Sequence, residues 1–278
     1  MLNSDLAISV ITYNRSKLLN LCMESLSRAM ELQQYPIYIV AQDPGEEEEK
    51  IFLKYSEIIS SIKRIKSGGS SVEELINNNR IEAWETAFVE HSHRYVVCLE
   101  DDVVISKDFL HFTEHVLEQN KTNRSFRGIN YGSYETSAEP STYSRLRYGL
   151  HGPASLITDR SYRKFNLQKL KRLKGRIPWD SWVEPIAKTG FMATSNVSRY
   201  LDNGTNGTHA SMSVNAEYFN KLSRSFEMAP DNCYSKYWLK NTNHSWRKDC
   251  VPFKSHEFLI YQIKKILMRS YQYINIVI

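Results

Sequence analysis

No apolar run in this chain approaches the ~18 to 20 residues of a membrane-spanning helix, and the opening Met1-Leu-Asn-Ser-Asp5 has no basic segment leading into an apolar one. The sequence therefore predicts neither a spanning segment nor a secretory leader, and the expected location is cytoplasmic. Cysteine is scarce. Cys22, Cys98, Cys233 and Cys250 show no metal-type spacing, which argues against a cysteine-built metal site and makes reduced thiols the default. Charge of one sign is not in large excess. The net +5 permits attraction to anionic substrates or membrane surfaces without demanding it. No basic stripe with interleaved aromatics accompanies it, so no nucleic-acid partner is expected. Internal repeats and low-complexity segments are missing as well. What remains is a 278-residue chain, 41% hydrophobic, suited to one large globular domain or a domain with an appendage.

Strand-like and helix-like patterns alternate through the first part of the chain. Leu6–Tyr13 is an apolar, β-branched run, and 14–30 then sets Leu18, Leu19, Cys22, Met23 and Leu26 at helical spacing. Positions 36–41 read as a second strand, closed by the turn Gln42-Asp-Pro-Gly45. A helix over 46–55 follows, with acids in its first turn, where the helix dipole favours them. A short strand over 61–65, a Gly68-Gly-Ser-Ser71 loop and a helix over 72–88 lead to an acidic strand at 95–99 and a helix predicted over 106–117. Such alternation implies βαβ units and a mainly parallel sheet. Farther on, a turn-rich region at 120–144 surrounds a strand near 126–131, 150–158 reads as another strand, and 159–173 as a basic helix. The end of the chain changes character: 258–269 has the pattern of a basic amphipathic helix, followed by an apolar tail at 271–278. Such a helix lies on an anionic membrane surface or docks on its own domain, and the sequence leaves both open.

The stretch Tyr95-Val-Val-Cys-Leu-Glu-Asp-Asp-Val103 carries the chemistry. A strand-forming run ends abruptly at Glu100, Asp101 and Asp102. Adjacent acids at the end of a buried strand repel one another and are costly to desolvate unless positive charge sits there. A hard divalent cation removes that cost when one or two carboxylates bind it and phosphate oxygens and water fill its other positions. Ligands of open α/β sheets bind just outside the carboxyl ends of strands. A solvated acidic turn is the plainer alternative.

Taken in order, the motifs resemble a GT-A glycosyltransferase and, more narrowly, the N-acetylglucosaminyltransferase I family (glycosyltransferase family 13). The resemblance covers 6–220 in patches. Ile8-Ser-Val-Ile-Thr-Tyr-Asn-Arg15 resembles that family's opening strand and arginine, and Ile37-Tyr-Ile-Val-Ala-Gln-Asp43 its second strand. Leu99-Glu-Asp-Asp-Val103 resembles its metal motif, Trp179-Asp-Ser-Trp182 the segment with its catalytic base, and Asn206-Gly-Thr-His209 a loop near the donor phosphates. The acidic triplet and the Trp-Asp-x-Trp segment, in this order, are the most specific pair.

The resemblance implies an α/β fold of GT-A type, with a Rossmann-like, mostly parallel central sheet flanked by helices. It implies a catalytic domain over 1–225, with a nucleotide-binding half at 1–119 and an acceptor and catalytic-base half at 120–225, and a C-terminal extension at 226–278. The activity it implies is metal-dependent, inverting transfer of a sugar, GlcNAc among the candidates, from a UDP-sugar to a glycan or lipid-linked acceptor in surface polysaccharide or glycoconjugate synthesis. By resemblance Asp102 binds Mn2+ or Mg2+, and Glu100 and Asp101 orient the nucleotide and the ion's water. Asp43 accepts from the uracil imide, and Arg15 lies near the diphosphate or base. Thr208 and His209 face the phosphates, Asp180 is the general base, and Trp179 and Trp182 wall the sugar site. Each has a plainer reading: a helix-end arginine for Arg15, a turn-former for Asp43, a helix cap for Asp180 and a flexible turn for 203–209. Where the family has a histidine before the acidic strand, this chain offers Asn79, and Ser181 replaces a second aspartate. If the helix over 258–269 lies on lipid, 258–278 makes peripheral contact with the inner membrane face. Two other classes compete, a sugar nucleotidyltransferase and a non-catalytic carbohydrate-binding module. The first calls for glycines that Thr12-Tyr-Asn-Arg-Ser16 lacks, and the second is at odds with the intact acids at 100–102 and 180.

Overall fold

A computed structural model of the chain describes residues 5–29, 35–67, 71–132, 143–146, 153–164, 189–195 and 198–202. The first half alternates as its periodicity predicts: β1 (Leu6–Tyr13), α1 (Ser16–Ser27), β2 (Ile37–Gln42), α2 (Glu46–Lys54), β3 (Ser61–Ile65), α3 (Val72–Glu85) with a π-helical turn at Thr86–Glu90, and β4 (Tyr95–Glu100). Then come β5 (Val103–Ile105), α4 (Phe109–Asn120), β6 (Phe126–Asn130), β7 (Tyr143–Leu146), β8 (Ala154–Thr158), the single turn α5 (Asp159–Tyr162), β9 (Phe191–Ser195) and β10 (Tyr200–Asp202).

Among the described residues eight strands form one sheet in the order β3-β2-β1-β4-β8-β6-β9-β7, and β5 pairs separately with β10. The pairings β3-β2, β2-β1, β1-β4 and β6-β9 are parallel. The pairings β4-β8, β8-β6 and β9-β7 are antiparallel. β1, β2 and β4 are near-continuous apolar runs because both faces of the sheet are covered. Alternate residues divide between two cores, as a two-residue period requires. Leu6, Ile8 and Val10 pack with Leu19, Cys22 and Met23 of α1, Phe52 of α2 and Phe109 and Phe112 of α4. Ala7 and Ile11 pack instead with Ile81 and Trp84 of α3 and Tyr162 of α5. Among these, each fully buried Leu, Ile, Val, Met or Phe side chain contributes roughly 1.5–3 kcal/mol. Cys22 and Cys98 are buried free thiols, as expected of small hydrophobes. Among the described residues no helix is long and apolar enough to cross a membrane.

Two boundaries differ from the sequence reading. α4 begins at Phe109 and not at Ser106. The intervening residues are tied elsewhere: the Ser106 N–H donates to the Arg199 carbonyl at 2.9 Å, and its hydroxyl donates to Asp108 Oδ1 at 2.6 Å. The basic helix expected over 159–173 is one turn, Asp159–Tyr162, within the described residues; its cap is Thr158, whose hydroxyl accepts from the Ser161 N–H at 3.1 Å.

Gly128 marks a register shift between β6 and β9. A Cβ at this position would lie 2.0 Å from the Leu156 carbonyl oxygen of the neighbouring strand. Because backbone cannot yield as a side-chain tip can, Gly128→Ala is expected to lower unfolding stability by about 1–3 kcal/mol, the range of overpacked cores. Urea denaturation compared with wild type measures this, and an unchanged midpoint would contradict the close packing of β6 on β8.

Candidate functional site

The adjacent parallel strands β2, β1 and β4 open their carboxyl ends on one edge of the sheet. Their register pairs Ile11 with Glu100 and Tyr13 with Gln42. One step past Glu100 the two chain tips are still joined. The Thr12 hydroxyl donates to Asp101 Oδ2 at 2.9 Å, and the Tyr13 N–H donates to the same oxygen at 3.2 Å. Asn14 (φ 49°) and Asp43 (φ 42°) both leave their strands in the left-handed region, which Asn and Asp tolerate better than most residues. The turn at Asn14 delivers Arg15 to the acids.

Asp101 and Asp102 are only 4% and 8% exposed. Arg15 Nη1 lies 2.7 Å from Asp102 Oδ2 and 3.4 Å from Asp101 Oδ1. Glu100 has a separate partner, Arg80 of α3, whose Nη2 is 2.5 Å from Glu100 Oε1. Strand β10 runs antiparallel to β5 and sets Asp202 opposite Val103, close enough for its charge to act on Asp102. Burial pushes the Asp101 carboxyl up to about 6, against the pull of Arg15 and the donors on Tyr13 and Thr12. Burial, reinforced by Glu100, Asp202 and Asp101, pushes Asp102 up to about 8. Asp102 Oδ1 is buried, and no hydrogen-bond donor among the described residues reaches it. A buried carboxylate oxygen without a donor, among neighbouring acids, is a place that favours positive charge. Among the described residues no group of three or more His, Cys, Asp or Glu side chains is arranged to hold an ion by itself.

The other expected residues fall in different places. Asp43 is exposed at the end of β2, and its carboxylate accepts from the Ser67 N–H at 3.1 Å and from the Ser67 hydroxyl. Asn79 is buried in α3 and braces the tip of β2: its Nδ2 donates to Gln42 Oε1 at 2.9 Å. Its own Oδ1 is buried with no hydrogen-bond partner among the described residues. Trp179, Asp180, Trp182, Thr208, His209 and the extension at 226–278 lie outside the described residues.

Four residues of the site escaped sequence reasoning: Thr12, Tyr13, Arg80 and Asp202. Arg80 had a visible signal. Ile76, Arg80 and Trp84 stand at four-residue spacing, which sets an arginine on the apolar face of a helix. A buried arginine calls for a buried acid. Thr12 could have been reached from the strand register. Asp202 depends on the pairing of β5 with β10, which no local pattern announces.

No protein-family model matches the chain, and no curated protein matches its sequence. Its fold is similar to solved structures of S. aureus TarS. For TarS 1-349 the TM-score is 0.51 at 12% identity, covering 88% of this chain and 76% of that one. TarS 1-349 in complex with UDP gives a TM-score of 0.51 at 12% identity, covering 83% and 74%. A longer TarS structure gives 0.52 at 13% identity; it matches 88% of this chain, which spans only 41% of that structure. At such identity the likeness shows the fold, which is α/β and of GT-A type, with a mostly parallel central sheet flanked by helices. It does not extend to the narrower N-acetylglucosaminyltransferase I resemblance.

The raised carboxyls make a prediction about the metal-free protein. Their folded values, about 6 and about 8, lie above the ordinary 3.8, so between these limits the folded chain binds protons that the unfolded chain releases. Their stabilising contribution is complete below about pH 4 and is lost as pH rises through about 6 and then about 8. Asp102→Asn, which stays neutral throughout, should match wild type near pH 4 and become progressively more stable than it toward pH 8. Urea midpoints in EDTA across that range measure the difference, and a difference that does not grow with pH would count against a buried, repelled Asp102.

Proposed function

We propose that this chain is a metal-dependent, inverting glycosyltransferase. Its donor is a UDP-sugar, with UDP-GlcNAc the first to test, and its acceptor is a hydroxyl of a glycan or lipid-linked sugar in surface polysaccharide or glycoconjugate synthesis. One observation carries the proposal: the buried, donor-less Asp102 Oδ1 stands at the carboxyl ends of β1, β2 and β4. A fold shared with TarS, one structure of which holds UDP, supports it. Ligands of such sheets bind at that edge.

Asp102 is the residue to hold Mn2+ or Mg2+, and the oxygen-only donor set fits a hard cation completed by phosphate oxygens and water. Such an ion, when bound, supplies Lewis-acid stabilisation for the charge growing on the departing diphosphate. Asp101, locked by Thr12 and Tyr13, and Glu100, locked by Arg80, shape the surroundings of that carboxylate. Asp43 is exposed and has lone pairs left to accept from a uracil imide N–H. Tyr13, 45% exposed at the end of β1, offers a flat face against which a base can pack.

On the acceptor side the assignment rests on sequence. Asp180 takes the proton of the acceptor hydroxyl as its oxygen attacks the anomeric carbon, and a single in-line attack inverts that centre. Trp179 and Trp182 exclude water, which protects the donor from hydrolysis, while Thr208 and His209 face the phosphates.

UDP is expected to raise the melting temperature only when Mn2+ is present, and Asp102→Ala should abolish that rise. Asp180→Ala should keep the UDP and Mn2+ response while transfer from the preferred UDP-sugar falls by about 10² to 10⁴. A thermal-shift titration with a donor panel checks both. A UDP response equally large in EDTA, or full turnover in Asp180→Ala, would overturn the assignment.

A further inference from the structure

The two buried aspartates are held in unequal ways. Asp101 Oδ2 accepts from the Thr12 hydroxyl and the Tyr13 N–H, both fixed to the end of β1. Asp102 accepts from Arg15 alone among the described residues, on Oδ2 at 2.7 Å, while Oδ1 accepts from none. Glu100 is no substitute, because its partner Arg80 is 1% exposed and sealed into α3. Arg15 is placed differently. It follows the left-handed Asn14, precedes α1 without capping it through its side chain, and keeps 31% of that side chain exposed. A guanidinium can therefore leave Asp102 without unpacking any core residue.

From this geometry we infer that Arg15 is a stand-in cation: it occupies Asp102 Oδ2 while the site is empty of nucleotide, and passes to the donor diphosphate when a divalent ion takes that carboxylate. The inference rests on the metal and diphosphate reading above. An ion arriving alone must evict Arg15, which then faces a second positive charge with no anion to meet it. With a diphosphate present, the displaced guanidinium gains a fork-shaped contact to phosphate oxygens. Arg15 thus opposes the ion by itself and favours ion and diphosphate together, which is positive coupling between the two ligands. Coupling of this kind is reciprocal. Arg15 is in this sense a positioning residue: it sets the order of charge around the site and takes no part in bond making.

Mn2+ titrations of the whole chain, followed by the EPR signal of free aquo Mn2+, with and without UDP, give the coupling as a ratio of affinities. Arg15→Gln should bind Mn2+ alone about tenfold more tightly than wild type, bind UDP less tightly in the presence of Mn2+, and so lose most of the ratio, which for coupled sites is commonly about 5- to 150-fold. A purely structural role would weaken both affinities. Arg15→Lys, with a single and more strongly hydrated contact, should move both values the same way by less, and it replaces the glutamine variant if that one does not fold. An unchanged ratio in Arg15→Gln, weaker binding of Mn2+ alone, or a folded lysine variant indistinguishable from wild type would each overturn the inference. If wild type itself binds UDP equally with Mn2+ and in EDTA, the functional reading falls and the Arg15 role falls with it. If wild type is metal-linked and only the variants fail to shift, the Arg15 role alone is wrong.

Discussion

Two buried aspartates and a half-buried glutamate stand in succession at the tip of one strand, where they repel one another unless positive charge meets them, and two arginines answer that requirement. Glu100 is answered from behind by Arg80, which α3 carries on its apolar face. Asp101 and Asp102 are answered from the side by Arg15, which the turn after β1 swings across. Arg15 would not be in reach if β1 and β4 were antiparallel, for their tips would then lie at opposite edges. The parallel register is thus an electrostatic constraint as much as a packing one.

The neutralisation is incomplete, and the incompleteness is informative. Asp102 Oδ1 is buried and has no donor among the described residues, and the Asp102 carboxyl is pushed further up than that of Asp101. A fold under selection for stability alone would do better with an amide there, since an isolated buried charge costs more than a neutral group of the same shape. Asp102 Oδ1 is one of several buried polar atoms without a partner among the described residues, and the one that belongs to a carboxyl group.

Much of this was legible in the residues. The apolar runs of β1, β2 and β4 span both cores, so their identity as covered parallel strands follows from composition, and their ends locate the acids. The helices α1 and α2 likewise follow from spacing. What escaped was long-range. The start of α4 is displaced because the Ser106 N–H is claimed by the Arg199 carbonyl, far along the chain. Arg80 shares the apolar face of its helix with Ile76 and Trp84, but which acid it meets shows only in the fold. Asn79, placed by resemblance at the ligand, donates to Gln42 at the tip of β2, a contact no local pattern announces. Local patterns name elements; they do not say which tips touch.

The antiparallel pairing of β5 with β10 has a consequence for synthesis. Its partners are 95 to 99 residues apart along the chain, so the loop they close is long and its ordering comes late. A nascent chain can lay down β1 to β4 and bring Arg15 to Asp102 well before Tyr200–Asp202 has left the ribosome. During that interval Arg15 and Arg80 already face the acidic tip, and Asp202 has yet to add its charge to it.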